Sequence, residues 1–112
     1  MELALEIGPT DVNYLMDRPG GRTFRLIDCR EDDEWQICRL PDAILVPTSR
    51  LGEMAPQVFT NTQEHLIIYC HHGMRSLRAA SWLRQQGFTE AQSMHGGIEA
   101  WSQLIDPAVP RY

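Results

Sequence analysis

Short apolar runs alternate with mixed, polar stretches along the 112-residue chain. Residues 24–29 (Phe24-Arg25-Leu26-Ile27-Asp28-Cys29), 43–46 (Ala43-Ile44-Leu45-Val46) and 66–69 (Leu66-Ile67-Ile68-Tyr69) read as buried strands. A weaker strand is expected at 91–94, and a short edge strand at 3–7, broken by Gly8-Pro9. Between them, Thr10 reads as the N-cap of a helix over 11–16, followed by a turn at Arg18-Pro19-Gly20-Gly21. Residues 30–34 read as an acidic loop entering a helical turn near Trp35. Pro47 closes the third run, and Thr48 reads as the cap of a helix over 49–54. The clearest helix is 76–86, where Leu77, Ala80 and Leu83 share a face and Gly87 supplies the stop. Gly96-Gly97 opens a last short helix toward Trp101.

Strands alternating with helices predict an α/β domain with a mostly parallel sheet. Residues 1–105 are expected to form the domain, and residues 106–112, with two prolines, an irregular tail. In such sheets ligands sit beyond the carboxyl ends of the strands. Asp28, Cys29 and Cys70 all fall at such ends, so they are expected along one sheet edge.

Composition narrows the partners. The formal net charge is −5 and no Lys/Arg run occurs, which argues against nucleic acid. No stretch approaches a membrane-spanning length, and the first residues lack the basic start of a signal peptide. Three cysteines, widely spaced and without a C-x-x-C pair, do not suggest a disulfide framework or a zinc site. A reducing, cytoplasmic setting without cofactor or metal is the expectation.

The chemistry concentrates at Cys70-His71-His72-Gly73-Met74-Arg75, between the strand at 66–69 and the helix that follows. Backbone N–H groups of a short loop can converge on one point, and a helix N-terminus adds positive potential. A thiol there loses its proton readily, and the thiolate is the reactive form. Gly73 permits a positive φ or a close approach, and Arg75 adds a cation. Cysteine-dependent phosphatases separate Cys from Arg by five residues; here four intervene between Cys70 and Arg75. The smaller ring suits one additional sulfur atom better than a phosphoryl group, which disfavours a phosphatase or arsenate reductase.

Four motifs in order then resemble the rhodanese family: Ile27-Asp28-Cys29-Arg30-Glu31 with Trp35 after it; Leu40-Pro41-Asp42-Ala43; Ile68 to Ser76 around the loop; and Gly96-Gly97-Ile98-Glu99-Ala100-Trp101. One departure is Cys38-Arg39-Leu40-Pro41-Asp42-Ala43, where the family often has Gly-His-Ile-Pro-Gly-Ala. The resemblance implies a three-layer rhodanese-like fold, a five-stranded parallel sheet flanked by helices. It implies a sulfurtransferase that takes a sulfane sulfur from thiosulfate or a related small-molecule donor. Cys70 would hold the sulfur as a persulfide and pass it to cyanide, a thiol or a protein acceptor. The amides of His71, His72, Gly73, Met74 and Arg75 would stabilise that persulfide, and Arg75 would help bind the anionic donor. The alternative from the same resemblance is a regulatory or sulfur-delivery module that acts only with a protein partner.

The remaining residues read as support. Asp28 and Arg30 are expected as an ion pair bracing the loops, and Gly96-Gly97 as a turn. The His71 and His72 side chains are expected on the rim of the loop. Cys29 and Cys38 read as inert thiols, although Cys29 is placed to lie near Cys70 and to form a regulatory disulfide.

Overall fold

The computed structural model describes residues 3–18 and 23–112. Its five strands, β1 (Glu6–Ile7), β2 (Arg25–Asp28), β3 (Ile44–Leu45), β4 (Leu66–Tyr69) and β5 (Ala91–Met94), form one sheet in the order β1-β5-β4-β2-β3. Every pairing is parallel, so the expected mostly parallel sheet is parallel throughout. The helices are α1 (Pro9–Met16), α2 (Asp32–Ile37), α3 (Leu51–Val58), α4 (Met74–Gln85) and α5 (Gly97–Leu104).

The central strand β4 is a continuous apolar run because helices cover both faces of the sheet. All four residues of β4 are buried. Alternation along β2 and β4 divides the core in two. Ile27, Cys29, Leu66, Ile68 and Cys70 pack on one face with Leu51, Ala55, Phe59 and Leu83. Leu26, Ile67 and Tyr69 pack on the other with Val12, Ile98 and Trp101. This is the three-layer α/β arrangement.

Several boundaries differ from the sequence reading. Only Glu6–Ile7 of the first run is strand. Helix α1 starts at Pro9 behind Gly8, with Thr10 inside it, because proline's fixed φ suits the first helical position. Thr48 does not cap a helix; Thr48–Arg50 is a turn of 3-10 helix leading into α3, which runs on to Val58 through Pro56. Helix α2 owes its start to a capping box, in which Glu31 and Glu34 each take the other's backbone N–H. The turn expected at Arg18-Pro19-Gly20-Gly21 lies, from Pro19 on, outside the described residues. Among the described residues no helix is long and apolar enough to cross a membrane.

Candidate active site

Strands β2 and β4 deliver Cys29 and Cys70 to neighbouring places at the carboxyl edge of the sheet. The loop after β4 is shorter than expected. Gly73, with φ of 103°, is the N-cap of α4, so Met74 and Arg75 already belong to its first turn. The left-handed backbone reverses the chain sharply at little cost only in glycine. As a result the Gly73 N–H donates to Cys70 Sγ at 3.0 Å, and the Ser76 N–H does so at 3.4 Å. Ser76 Oγ lies 3.5 Å from the same sulfur and 2.7 Å from Ser93 Oγ. With Ser93 donating to Ser76, the Ser76 hydroxyl proton has two acceptors within reach, the sulfur at 3.5 Å and the Gly73 carbonyl at 3.3 Å. Ser76 thus enters the site from one residue beyond the expected amide ring, and Ser93 from β5.

The two cysteines shift one another in opposite directions. A hydrogen bond from Cys29 is the largest influence on Cys70 and lowers its pKa; burial opposes it, and the Ser76 and Gly73 donors reinforce it. Cys29 is pushed up by that same hydrogen bond, by burial and by the nearby negative sulfur. The pair is thus biased in one direction, Cys70 toward the thiolate and Cys29 toward the thiol. Both are free, as is Cys38, which is only partly buried.

Behind the loop, Gly96-Gly97 is more than the expected turn. The Ile98 N–H donates to the Cys70 carbonyl at 2.9 Å and the Glu99 N–H to the His71 carbonyl at 3.1 Å. The N-terminus of α5 thus clasps the loop from below. A Cβ on Gly97, whose φ is 61°, would collide with both of those carbonyl oxygens.

A second network lines the rim. Asp28 and Arg30, both fully buried, form a forked ion pair with Nη2–Oδ2 2.7 Å and Nε–Oδ1 3.0 Å, as the bracing reading expected. Arg30 also donates to the Cys38 carbonyl at 2.6 Å and to Tyr112 Oη at 2.8 Å. Tyr112 in turn donates to Glu34 Oε2 at 2.8 Å. Glu34 grips Arg75 in a fork, at 2.6 and 2.9 Å. Those bonds, Arg75's first among them, hold the Glu34 carboxyl down at about 2 against the opposition of burial. Arg75 is thus committed to Glu34 and does not stand alone as the expected anion-binding cation.

The histidines sit where the rim was expected. His72 is exposed and His71 half-buried, its ring stacked between His72 at 3.9 Å and Tyr112 at 3.8 Å. Burial, and then the neighbouring His72 charge, keep His71 below the usual imidazole pKa. Met74, 61% exposed, is the apolar element of this mouth. The tail carries no helix or strand, yet Ser102 Oγ donates to the Val109 carbonyl at 2.7 Å and Tyr112 closes over the rim. Glu34 and Tyr112 were missed in the sequence. The S/T/D/E-x-x-E capping spacing from Glu31 would have flagged Glu34; nothing local flags Tyr112. Among the described residues no cluster of His, Cys, Asp or Glu has the makings of a metal site.

A parallel five-stranded sheet with a cysteine loop at its carboxyl edge defines a class of small α/β domains, and sequence comparison fixes the family. The pattern of the rhodanese-like domain matches residues 9–104, and the chain belongs to that family. It is 37% identical over 90 residues to the rhodanese-like/PpiC domain-containing protein 12, chloroplastic, of Arabidopsis thaliana, covering 79% of this chain and 30% of that protein. It is 30% identical over 106 residues to the probable adenylyltransferase/sulfurtransferase MoeZ of Mycobacterium tuberculosis, covering 95% of this chain and 26% of that one. The chain thus spans less than a third of the length of these relatives. The human single-domain sulfurtransferase TSTD1 shares its fold, with a TM-score of 0.81 at 23% identity over 91% of this chain and 98% of that one.

Proposed function

We propose that this domain is a sulfurtransferase that carries sulfane sulfur on Cys70, taking it from thiosulfate or a related donor and passing it to cyanide or a thiol. The observation that carries the reading is the Cys70 sulfur at the sheet edge, which accepts the Gly73 N–H at 3.0 Å and the Ser76 N–H at 3.4 Å, donors that favour its thiolate. In the first step the thiolate attacks the outer sulfur of thiosulfate. The sulfur–sulfur bond breaks, and sulfite leaves with the electron pair. In the second step the acceptor attacks the outer sulfur of the persulfide, and Cys70 leaves as thiolate. Both steps balance without a cofactor, and neither needs a proton.

The supporting roles follow from position. The N–H groups from His71 to Arg75, with α4's N-terminal potential, stabilise the charge as it moves to the outer sulfur. Arg75 fixes the loop through Glu34 and shares its charge with the incoming anion. The His71 and His72 rings shape the mouth. Asp28 and Arg30 hold the strand end behind it. The free thiols suit a reducing compartment such as the cytoplasm.

A second reading keeps the same persulfide but gives it to a protein acceptor. The exposed Met74 and His72 at the mouth favour it, as does the match to one part of a larger adenylyltransferase/sulfurtransferase. The test is incubation with thiosulfate followed by mass spectrometry. One added sulfur on Cys70, absent in Cys70→Ala, is expected; an adduct indifferent to Cys70→Ala, or none with any sulfane donor, would sink the reading. Turnover to cyanide or glutathione then separates a free-standing enzyme from an obligate partner module.

A further inference from the structure

Register places Cys29 and Cys70 one step past the last paired residues of adjacent parallel strands. Asp28 lies opposite Tyr69, and the ladder continues through the Cys29 N–H to the Tyr69 carbonyl at 3.0 Å. Alternation sends both thiols to the same face, where they join Ile27 and Ile68 in one core. Neighbouring strands stand about 4.8 Å apart, inside the roughly 4.4–6.8 Å that a disulfide requires between Cα atoms. Both cysteines are buried residues of that core, so Cys29 is a thiol held beside Cys70 at all times, whereas any other must enter from solvent.

We propose that Cys29 is a resolving thiol, which releases the carried sulfur as hydrosulfide and closes a Cys29–Cys70 disulfide. This rests on the persulfide reading above. The Cys29 sulfur attacks the inner sulfur of the persulfide, Cys70 Sγ. The bond from Sγ to the outer sulfur breaks, and its electron pair goes to the outer sulfur. That sulfur, already bearing the negative charge, takes the Cys29 proton and departs as HS⁻. Charge is conserved: two cysteine sulfurs are oxidised to the disulfide and the sulfane sulfur is reduced to sulfide. An external dithiol resets the pair by exchange and becomes oxidised itself. In the unloaded protein both cysteines are reduced, and two reduced thiols have nothing to expel. Loading is what creates a leaving group.

The activity predicted is therefore dithiol-dependent hydrosulfide release, in competition with transfer to cyanide or a thiol acceptor. The test is a single turnover without acceptor or air. The reduced protein receives an equivalent of thiosulfate, and intact mass, released sulfide and a non-reducing peptide map are followed. The wild type is expected to end two hydrogens lighter than it began, with hydrosulfide released and Cys29 linked to Cys70 in the map. Cys29→Ser and Cys29→Ala are expected to stop with one sulfur added to Cys70 and no hydrosulfide. A wild type that keeps its added sulfur as long as both variants, with no Cys29–Cys70 link, overturns the proposal and leaves the persulfide reading standing. Absence of both the added sulfur and the disulfide in all three proteins overturns both. The wild-type peptide map decides the matter by itself if either variant fails to fold.

Discussion

Arg75 and Glu34 meet side on, two guanidinium nitrogens against two carboxylate oxygens at 2.6 and 2.9 Å, at the mouth of the Cys70 loop. The pair is partly exposed, with side-chain exposures of 33% and 16%, so its charges are screened but not cancelled. Glu34→Gln keeps a cap for α2 and removes the negative charge. The released Arg75 charge is expected to favour a doubly charged donor by on the order of 1 kcal/mol, about a fivefold fall in KM for thiosulfate. Steady-state kinetics with thiosulfate and an uncharged sulfane donor in parallel check this. Equal effects on the two donors would mean that Glu34 acts through loop geometry instead of charge.

The same carboxyl should show in acid unfolding. Its folded pKa of about 2 lies below the ordinary value of 4.5, so its contribution is complete above the ordinary value and fades as pH falls toward the folded one. After allowance for solvent screening, the contribution is on the order of 1–2 kcal/mol. Denaturant titrations from neutral pH down to pH ~2.5 are expected to show the wild type losing this increment. Glu34→Gln should lack it at every pH.

Alkylation of Cys70 provides a direct measure of the thiolate. Because its pKa is lowered, iodoacetamide should modify Cys70 at a rate that stays flat from alkaline to mildly acidic pH. The rate should fall only when pH drops through the lowered value. Ser76→Ala removes the hydroxyl and is expected to move that fall toward neutrality. A wild-type rate that climbs steeply across pH ~8–9 would show an ordinary thiol.

Tyr112 is expected to govern the titration of His71. Burial is the first reason the imidazole sits low, and the Tyr112 ring covers one of its faces. Tyr112→Ala should raise the His71 pKa toward the unperturbed value of about 6.5, read by NMR. Tyr112→Phe keeps the stack and loses the bridge between Arg30 and Glu34, and is expected to cost about 1 kcal/mol with a smaller change in His71.

Gly97→Ala should be felt at the sulfur although it lies on another element. The added methyl meets the Cys70 and His71 carbonyls, and the positive φ itself disfavours alanine. A loss of about 2–4 kcal/mol is expected from strain and displaced backbone together. Calorimetry gives the stability, and the alkylation profile should shift with it, because the clasp and the loop move together.

Legibility in the sequence followed how local each signal was. The apolar run at Leu66–Tyr69 gave a strand with the boundaries found, since burial on both faces demands apolar residues, and the weaker strand at Ala91–Met94 is found at its expected place with a buried, hydrogen-bonded Gln92. Cys70 and its loop were readable because strand, Gly73 and helix follow one another in the chain. Where α4 begins was not: the positive φ of Gly73 starts the helix two residues before Ser76, and no propensity encodes that. The capping spacing marks Glu34 as a helix-start residue but not its grip on Arg75, 41 residues away, and no pattern within one segment announces Tyr112, which bonds Glu34 across 78 residues. The order of the strands in space, β1-β5-β4-β2-β3, was not legible: alternation predicted a mostly parallel sheet, and the family resemblance implied five strands.

The division of the core by strand alternation has a consequence for how such a domain can be altered. Cys29 and Cys70 face the layer of α3 and α4, whereas Leu26 and Tyr69 face the layer of α1 and α5. The hydroxyl of Tyr69, one residue before the reactive sulfur, accepts the Leu40 N–H at 3.1 Å and so anchors the divergent Cys38–Ala43 turn. Both thiols thus lie on one face of the sheet, and the anchor of the turn lies on the other. A change in that turn is therefore separated from the two sulfurs by the sheet itself, whereas a change at Tyr112 in the tail reaches the rim directly through Arg30, Glu34 and His71.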